Sequence, residues 1–305
     1  MLESWRYFWN NPGRRRVMLM AYLFIAPVVL YVFVTSFIPM FTSLYLSFTR
    51  YNALSAAKWI GLANYRDILL RDTLFWRALR NTVQYSLEVL PVNIALSLGL
   101  AILINRKLRG ITLFRTLYYL PVVTSAIAVS MIWMWLYERN LGLINLLLDQ
   151  FGIGPVDWLG KPGLALHSIA AMRVWKGIGW NMVIYLAGLQ GIPQYLYEAA
   201  MLDGASTWQQ FRKITWPMLK PVTYYVITMG LISTLQAFTE LYAMSRGTGG
   251  PLDSTTTIGF LIYQQAFQYY EMGKASAIAF ILFVAIFALS LINVKFFQSR
   301  VEGGV

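Results

Sequence analysis

The sequence predicts an all-α integral membrane protein with six transmembrane helices, and three observations carry that prediction. Hydrophobic residues fill 58% of the 305 positions and charged residues only 12%, whereas soluble domains average about 25% charged. Mean hydropathy is +0.54. Six separate stretches reach the roughly 20 apolar residues a helix needs to cross hydrocarbon: about 17–40, 82–104, 115–136, 166–189, 222–244 and 275–297. Backbone groups find no water in lipid, so each stretch must satisfy its own hydrogen bonds as a helix.

The first stretch follows Arg14-Arg15-Arg16, a start resembling the n-region of a signal peptide. Its apolar run exceeds the 7–15 residues of such a peptide and no A-x-A site follows, so an uncleaved helix is expected. Lysine and arginine in the loops set orientation. Arg6, Arg14, Arg15 and Arg16 before the first span, Arg106, Lys107, Arg109 and Arg115 after the second, and Lys295 and Arg300 at the end belong inside. Loops 137–165 and 245–274 are nearly neutral and belong outside. Loop 41–81 carries Arg50, Lys58, Arg66, Arg71, Arg77 and Arg80 yet falls outside, as longer loops do regardless of charge. It is expected to lie on the outer surface as an amphipathic helix, or to touch an external protein. The expected organisation is a cytoplasmic N-terminal segment, 1–16, one membrane domain, 17–297, and a cytoplasmic tail, 298–305.

The formal charge is +12. In so apolar a chain the excess sets topology and meets anionic lipid, not nucleic acid. Cysteine is absent and histidine occurs once, at His167, so there is no basis for a disulfide framework, a thiolate nucleophile or a multi-histidine metal site. An intramembrane hydrolase is excluded with them. A nucleotide P-loop reads G-x-x-x-x-G-K-[ST]. The Gly-Lys pairs here, Gly160-Lys161 and Gly273-Lys274, are followed by Pro162 and Ala275, with Pro155 and Gln268 where the first glycine belongs. The chain is not expected to hydrolyse ATP. Trp5, Trp9, Tyr51, Trp59, Trp76, Trp133, Trp135, Trp158, Tyr269 and Tyr270 lie near span ends and read as interface anchors.

The segment between the fourth and fifth spans is the most informative. From Gly191 to Pro217 its local chemistry reads as two short helices at an angle. Pro193 suits a first helical turn, and Gly204 the left-handed position that ends a helix. Ser206 with Gln209 fits a capping box, and Pro217 is expected to close the second helix. Small residues Ala199, Ala200, Gly204 and Ala205 would let another protein approach the backbone closely. On this chemistry alone the segment is either a docking element or a connector resting on the membrane surface.

Glu198-Ala199-Ala200, three residues, Gly204, nine residues, then Ile214-x-x-Pro217 resembles the E-A-A-x3-G-x9-I-x-L-P loop of ABC importer permeases, with Trp216 where leucine is usual. Asp203 and Ala205 complete the D-G-A variant of carbohydrate-type permeases. Three further segments are similar to that maltose or glycerol-3-phosphate subfamily: Trp175–Met182 with Ala187–Pro193, Gly142–Leu148, and Thr248-Gly249-Gly250-Pro251 with Thr255. Asn64-Tyr65 and Asn81-Thr82 also sit as the subfamily places them. The resemblance implies a type I importer (MetI-like) permease fold, with a core at about 77–297 and a coupling loop at 191–220. It also implies two separate ATPase subunits that use ATP and Mg, a second homologous permease, an external solute-binding protein and a sugar or polyol solute. A permease for a polyamine, phosphate or similar solute is the alternative. In this family the loop is a coupling helix seated in the ATPase. That implies contact roles for Glu198, Ala199, Ala200, Asp203, Gly204 and Ala205, with Ile214 and Pro217 pinning the second helix to the membrane domain.

Ionisable residues within spans usually face protein or a water-filled path. Glu88 and Asn93 flank Pro91, while Arg173 and Lys176 lie in the fourth span and either snorkel to an interface or face inward. Sugar recognition needs hydroxyl-matching groups beside aromatic faces, and Asn181, Tyr185, Gln236 and Glu240 form the candidate solute-path set. Interhelical hydrogen bonding is the competing role.

Overall fold

The computed structural model describes residues 12–105 and 110–301. The basic positions Arg6, Arg106, Lys107 and Arg109, the anchors Trp5 and Trp9, and residues 302–305 of the tail lie outside the described residues. The described chain is helical apart from one two-residue ladder, β1 (Thr49–Arg50) against β2 (Lys58–Trp59).

α1 (Pro12–Val32) runs through a π-helical turn, Phe33–Phe37, into α2 (Ile38–Ser47), so the first span ends later than expected. None of its apolar window is buried in the protein, an arrangement suited to a hydrocarbon surround. It is tied at its far end. Asn64 Nδ2 donates to the Ser47 and Thr49 carbonyls at 2.8 and 2.9 Å, and the Tyr65 hydroxyl donates to Ser47 Oγ at 2.7 Å. Both residues sit on α3 (Ala63–Leu70), the helix that lies wholly within the 41–81 segment. Its Ile68 is fully buried against Phe75, Ala78, Ile258, Leu261, Ala277 and Ile278, so this helix is docked on the bundle.

α4 (Thr73–Ile104), opened by the Asp72 side chain accepting from Phe75 N at 3.0 Å, is the second span. The third departs from the single helix expected over 115–136. α5 (Ile111–Val123) and α6 (Ala126–Leu136) meet at a 100° bend across Thr124-Ser125. After α7 (Leu143–Asp149), α8 (Pro162–Gln190) forms the fourth span. The fifth, expected unbroken over 222–244, is α11 (Trp216–Leu235) followed by a break at Gln236–Phe238 and then α12 (Thr239–Met244). Next comes α13 (Ile258–Tyr263), and α14 (Met272–Val301) is the sixth span. α8 has 29 residues and α11 has 20, which at 1.5 Å per residue give about 43 and 30 Å, enough to cross about 30 Å of hydrocarbon.

Small residues set the helix contacts, as expected where lipid offers helices no hydrophobic drive to associate. A Cβ on Gly179 would collide with the Tyr118 carbonyl, so α5 and α8 cross backbone against backbone. Trp133 and Trp158, read as interface anchors, instead pack into the bundle. Trp133 lies 5.3 Å from Tyr137 and 5.6 Å from Trp175, and Trp158 lies 5.4 Å from Tyr137.

Loop 137–161 is organised by Asn145, which is buried. Its Nδ2 faces the Glu138, Arg139 and Val156 carbonyls at 3.2, 3.0 and 2.9 Å, and its Oδ1 accepts from Trp158 Nε1 at 3.0 Å. The Glu138 carboxylate accepts from the Leu141 and Asn140 amides at 2.5 and 2.8 Å, and these loop amides hold its carboxyl below the usual range. A depressed folded-state pKa contributes stability above the ordinary carboxylate value, lost as pH falls through the lowered one. Protection of the Asn140 and Leu141 amides, measured against their intrinsic exchange rate at each pH, is therefore expected to fall toward acid in the native protein, with that step absent in Glu138→Gln.

Candidate functional site

Two features stand at opposite ends of α4. Near its start, Asn81 Nδ2 donates to the Asp253 and Thr256 carbonyls, both at 2.9 Å, and Thr82 Oγ1 accepts from Ile258 N at 2.9 Å. These bonds hold the Thr248–Thr257 loop, where Gly249, Gly250, Leu252 and Asp253 all have positive φ. Near its end, Leu98, Ala101 and Ile104 share a core with Met182, Tyr185 and Leu219, against which Leu196, Tyr197, Phe211 and Ile214 of the 191–217 connector pack. Asn81 and Ala101 are 20 residues apart on one helix, hence about 30 Å. The Thr-Gly-Gly-Pro loop and the connector therefore lie on opposite faces of the membrane domain.

The connector has the bent two-helix form its chemistry implied. α9 (Gln194–Leu202) ends at Gly204, φ +76°. Ala205 N bonds the Ala200 carbonyl at 2.9 Å and Gly204 N the Met201 carbonyl at 3.1 Å, the two bonds of a Schellman close. Ser206 caps α10 (Thr207–Gln210) in a reciprocal capping box with Gln209. Two expectations are corrected. Pro193 is the cap preceding α9, not part of its first turn. Pro217 does not close the second helix: α10 passes through a π-helical turn, Phe211–Thr215, straight into α11, where Pro217 is an early residue. The π turn, with Trp216 N bonding the Phe211 carbonyl, interrupts the i→i−4 ladder just ahead of Pro217, so its missing N–H falls where regular pairing is already broken.

Glu198, Ala199, Asp203 and Gly204 are exposed, and Ala200 and Ala205 are half-buried. Ile214 and Pro217 are also half-buried, and Ile214 packs on the inner core. The two arms are braced by the Tyr197 hydroxyl and Thr215 Oγ1 at 2.9 Å. At the bend, Leu202 is 91% exposed, and Met201, Trp208 and Tyr195 are exposed beside it. The sequence reading passed over this apolar tip, because apolar residues are ordinary in a membrane chain and only position marks these.

Between α4, α5, α8 and α11 lies a cavity of about 310 Å³, lined by Asn93, Arg173, Lys176, Trp180, Asn181 and Ser233 among others. Asn181 Nδ2 donates to Asn93 Oδ1 at 2.6 Å, and Asn93 Nδ2 to the Val174 carbonyl at 3.0 Å. Arg173 Nη2 donates to Ser233 Oγ at 2.7 Å, and its Nε lies 3.4 Å from Glu240 Oε1. That carboxylate is buried and also accepts from the Tyr85 hydroxyl at 2.8 Å. Lys176 does not snorkel: its ammonium reaches the Pro121, Val122 and Thr124 carbonyls at 2.9, 3.3 and 3.0 Å. These are carbonyls freed where α5 stops inside the membrane domain. Lys176→Met is expected to strand them and destabilise the domain by about 1–3 kcal/mol, read as a lowered unfolding temperature in detergent micelles.

Of the candidate solute-path residues, Asn181 lines the cavity and Glu240 adjoins it through Arg173. Tyr185 is fully buried in the inner core and Gln236 is exposed at the break after α11; neither lines the cavity. His167, read as an interfacial hydrogen-bonding residue, pairs through Nδ1 with Glu88 at 2.9 Å. Among the described residues no group of three or more His, Cys, Asp or Glu side chains could hold a metal ion.

A multi-pass helical domain with a polar cavity amid its spans and an exposed bent connector on one face defines a membrane transport component. The chain belongs to the family described as "Binding-protein-dependent transport system inner membrane component", whose profile matches residues 93–302. It is 38% identical over 283 residues to the probable ABC transporter permease protein YesP of Bacillus subtilis (strain 168), covering 92% of this chain and 91% of that one. It is 35% identical over 283 residues to the lactose transport system permease protein LacF of Rhizobium radiobacter, covering 92% and 93%. The fold matches a chain in a crystal structure of a bacterial alginate ABC transporter with TM-score 0.81, at 23% identity and 92% and 93% coverage.

Proposed function

We propose that this chain is the permease subunit of an ATP-driven importer that moves a sugar or related polyol into the cytoplasm. In this reading an external solute-binding protein delivers the solute. A second homologous permease completes the pore, and two ATPase subunits, using ATP and Mg, drive it. Both termini and the 191–217 connector face the cytoplasm, and the Thr248–Thr257 loop faces outside. The observation that carries the reading is the connector: a capped, braced, two-arm element whose apolar tip, Leu202 above all, stands exposed among the described residues. ATP-driven closure of the partner subunits then shifts a two-state balance of the attached helices. The basic flanks support the orientation. The Thr-Gly-Gly-Pro and Ala-Gly-Leu-Gln segments, with the sugar named for LacF, support the solute class.

The chain contains no cysteine, so single cysteines at Leu202→Cys, Ala205→Cys and Trp208→Cys can be crosslinked without background. Attachment to a nucleotide-hydrolysing subunit, with solute uptake that requires ATP, is expected. Crosslinks only to lipid while import continues would refute the coupling role.

A further inference from the structure

The cavity between α4, α5, α8 and α11 carries a charge that a neutral sugar does not match. Lys176 is the midpoint of the 29-residue α8, about 21 Å from either end, so the site lies near the bilayer centre, where an uncompensated cation is costly. The three carbonyls at 2.9–3.3 Å around Lys176 Nζ match the three N–H groups of an ammonium; they satisfy its donors without cancelling its charge. Glu240 offsets Arg173. Two cations against one carboxylate leave a surplus of one positive charge, and no other ionisable side chain lines the cavity among the described residues.

Arg173 also keeps free donors. A guanidinium carries five N–H groups; Nε faces Glu240 and one Nη2 hydrogen serves Ser233, leaving the remaining Nη hydrogens for a ligand. That fork matches a carboxylate in bidentate geometry. Trp180, half exposed on the same wall, offers a ring face to a sugar, and the Asn181–Asn93 amides offer hydroxyl partners.

We infer that the solute is an acidic saccharide carrying a carboxylate, a uronic acid or its oligomer, anchored by Arg173. The inference rests on the sugar-permease reading above and narrows it. A surplus of one charge matches the single carboxylate that one uronate residue presents to Arg173 in the cavity, whereas a phosphate monoester places a charge near −2 on one group and would overshoot it.

The test uses the full complex with its binding protein and ATPase subunits. It is given an equimolar mixture of galactose, galacturonate, galactobiose, digalacturonate and galactose 6-phosphate, trapped with ATP and vanadate, washed, and its retained solutes are read by mass spectrometry. Uronates are expected to be retained at least 10-fold over their neutral counterparts. Arg173→Gln with Glu240→Gln, which removes the anchoring fork without stranding a partner and leaves the Lys176 charge in place, is expected to lower that preference at least 3-fold. Equal or greater retention of the neutral sugars overturns the inference and leaves the sugar reading standing, as does preference for the phosphorylated sugar. Retention of none of the five overturns the inference, and a non-saccharide solute co-purifying with the complex from its native source overturns the sugar reading itself.

Discussion

Glu240→Ala is expected to destabilise the membrane domain by about 3–5 kcal/mol, the scale for stranding one member of a buried ion pair. Glu240 Oε1 holds Arg173 Nε at 3.4 Å and the Tyr85 hydroxyl at 2.8 Å. Alanine leaves the guanidinium facing Ser233 alone and a fully buried tyrosine hydroxyl without an acceptor. The measurement is thermal unfolding of purified protein in detergent, with Arg173→Gln/Glu240→Gln as the paired variant. Most of the loss should return in the double variant, because replacing both members removes the unpaired charge. A single variant as stable as the native protein would show that the pair does not hold α8 to α12.

Leu202→Glu is expected to abolish uptake while leaving the subunit inserted and folded. Leu202 is 91% exposed at the tip of the connector, so the substitution disturbs no packing within the chain. Seated in a partner's groove it would bury an unpaired carboxylate, a penalty of several kcal/mol per ion, enough to weaken ATPase association by more than about 100-fold. Co-purification of the ATPase subunits and ATP-dependent uptake should fall together, while yield and unfolding temperature stay native. Retained co-purification would place the seat elsewhere on the connector.

Some of this architecture is legible in the residues and some is not, for physical reasons. Apolar runs declare the spans, and Gly204 with Ser206 and Gln209 declares the bend, because left-handed backbone and reciprocal caps need those residue types. The break in the third span is hidden, since Leu113–Leu136 is equally apolar whether straight or bent by 100°. Pro121 stood in that run, but proline in a membrane helix does not by itself mark a break. The carbonyl-binding role of Lys176 depends on that break and was invisible with it. Tyr185 and Asn181, four residues apart on α8, looked equivalent as path residues. One is buried in the inner core and the other lines the cavity, a distinction set by which neighbouring helix each faces.

The π-helical turn at Phe211–Thr215 absorbs length without changing phase. Such a turn winds one extra residue into a single turn of an α-helix, where one residue otherwise corresponds to about 100° of rotation. Removing a single residue there, Lys213 for instance, would restore regular winding and leave the connector's azimuth nearly unchanged, whereas the same deletion within α11 would swing the whole connector around the axis of the fifth span by about that angle. The direction in which an applied push reaches the pore is thus buffered at these five residues and rigidly fixed by the residues that follow.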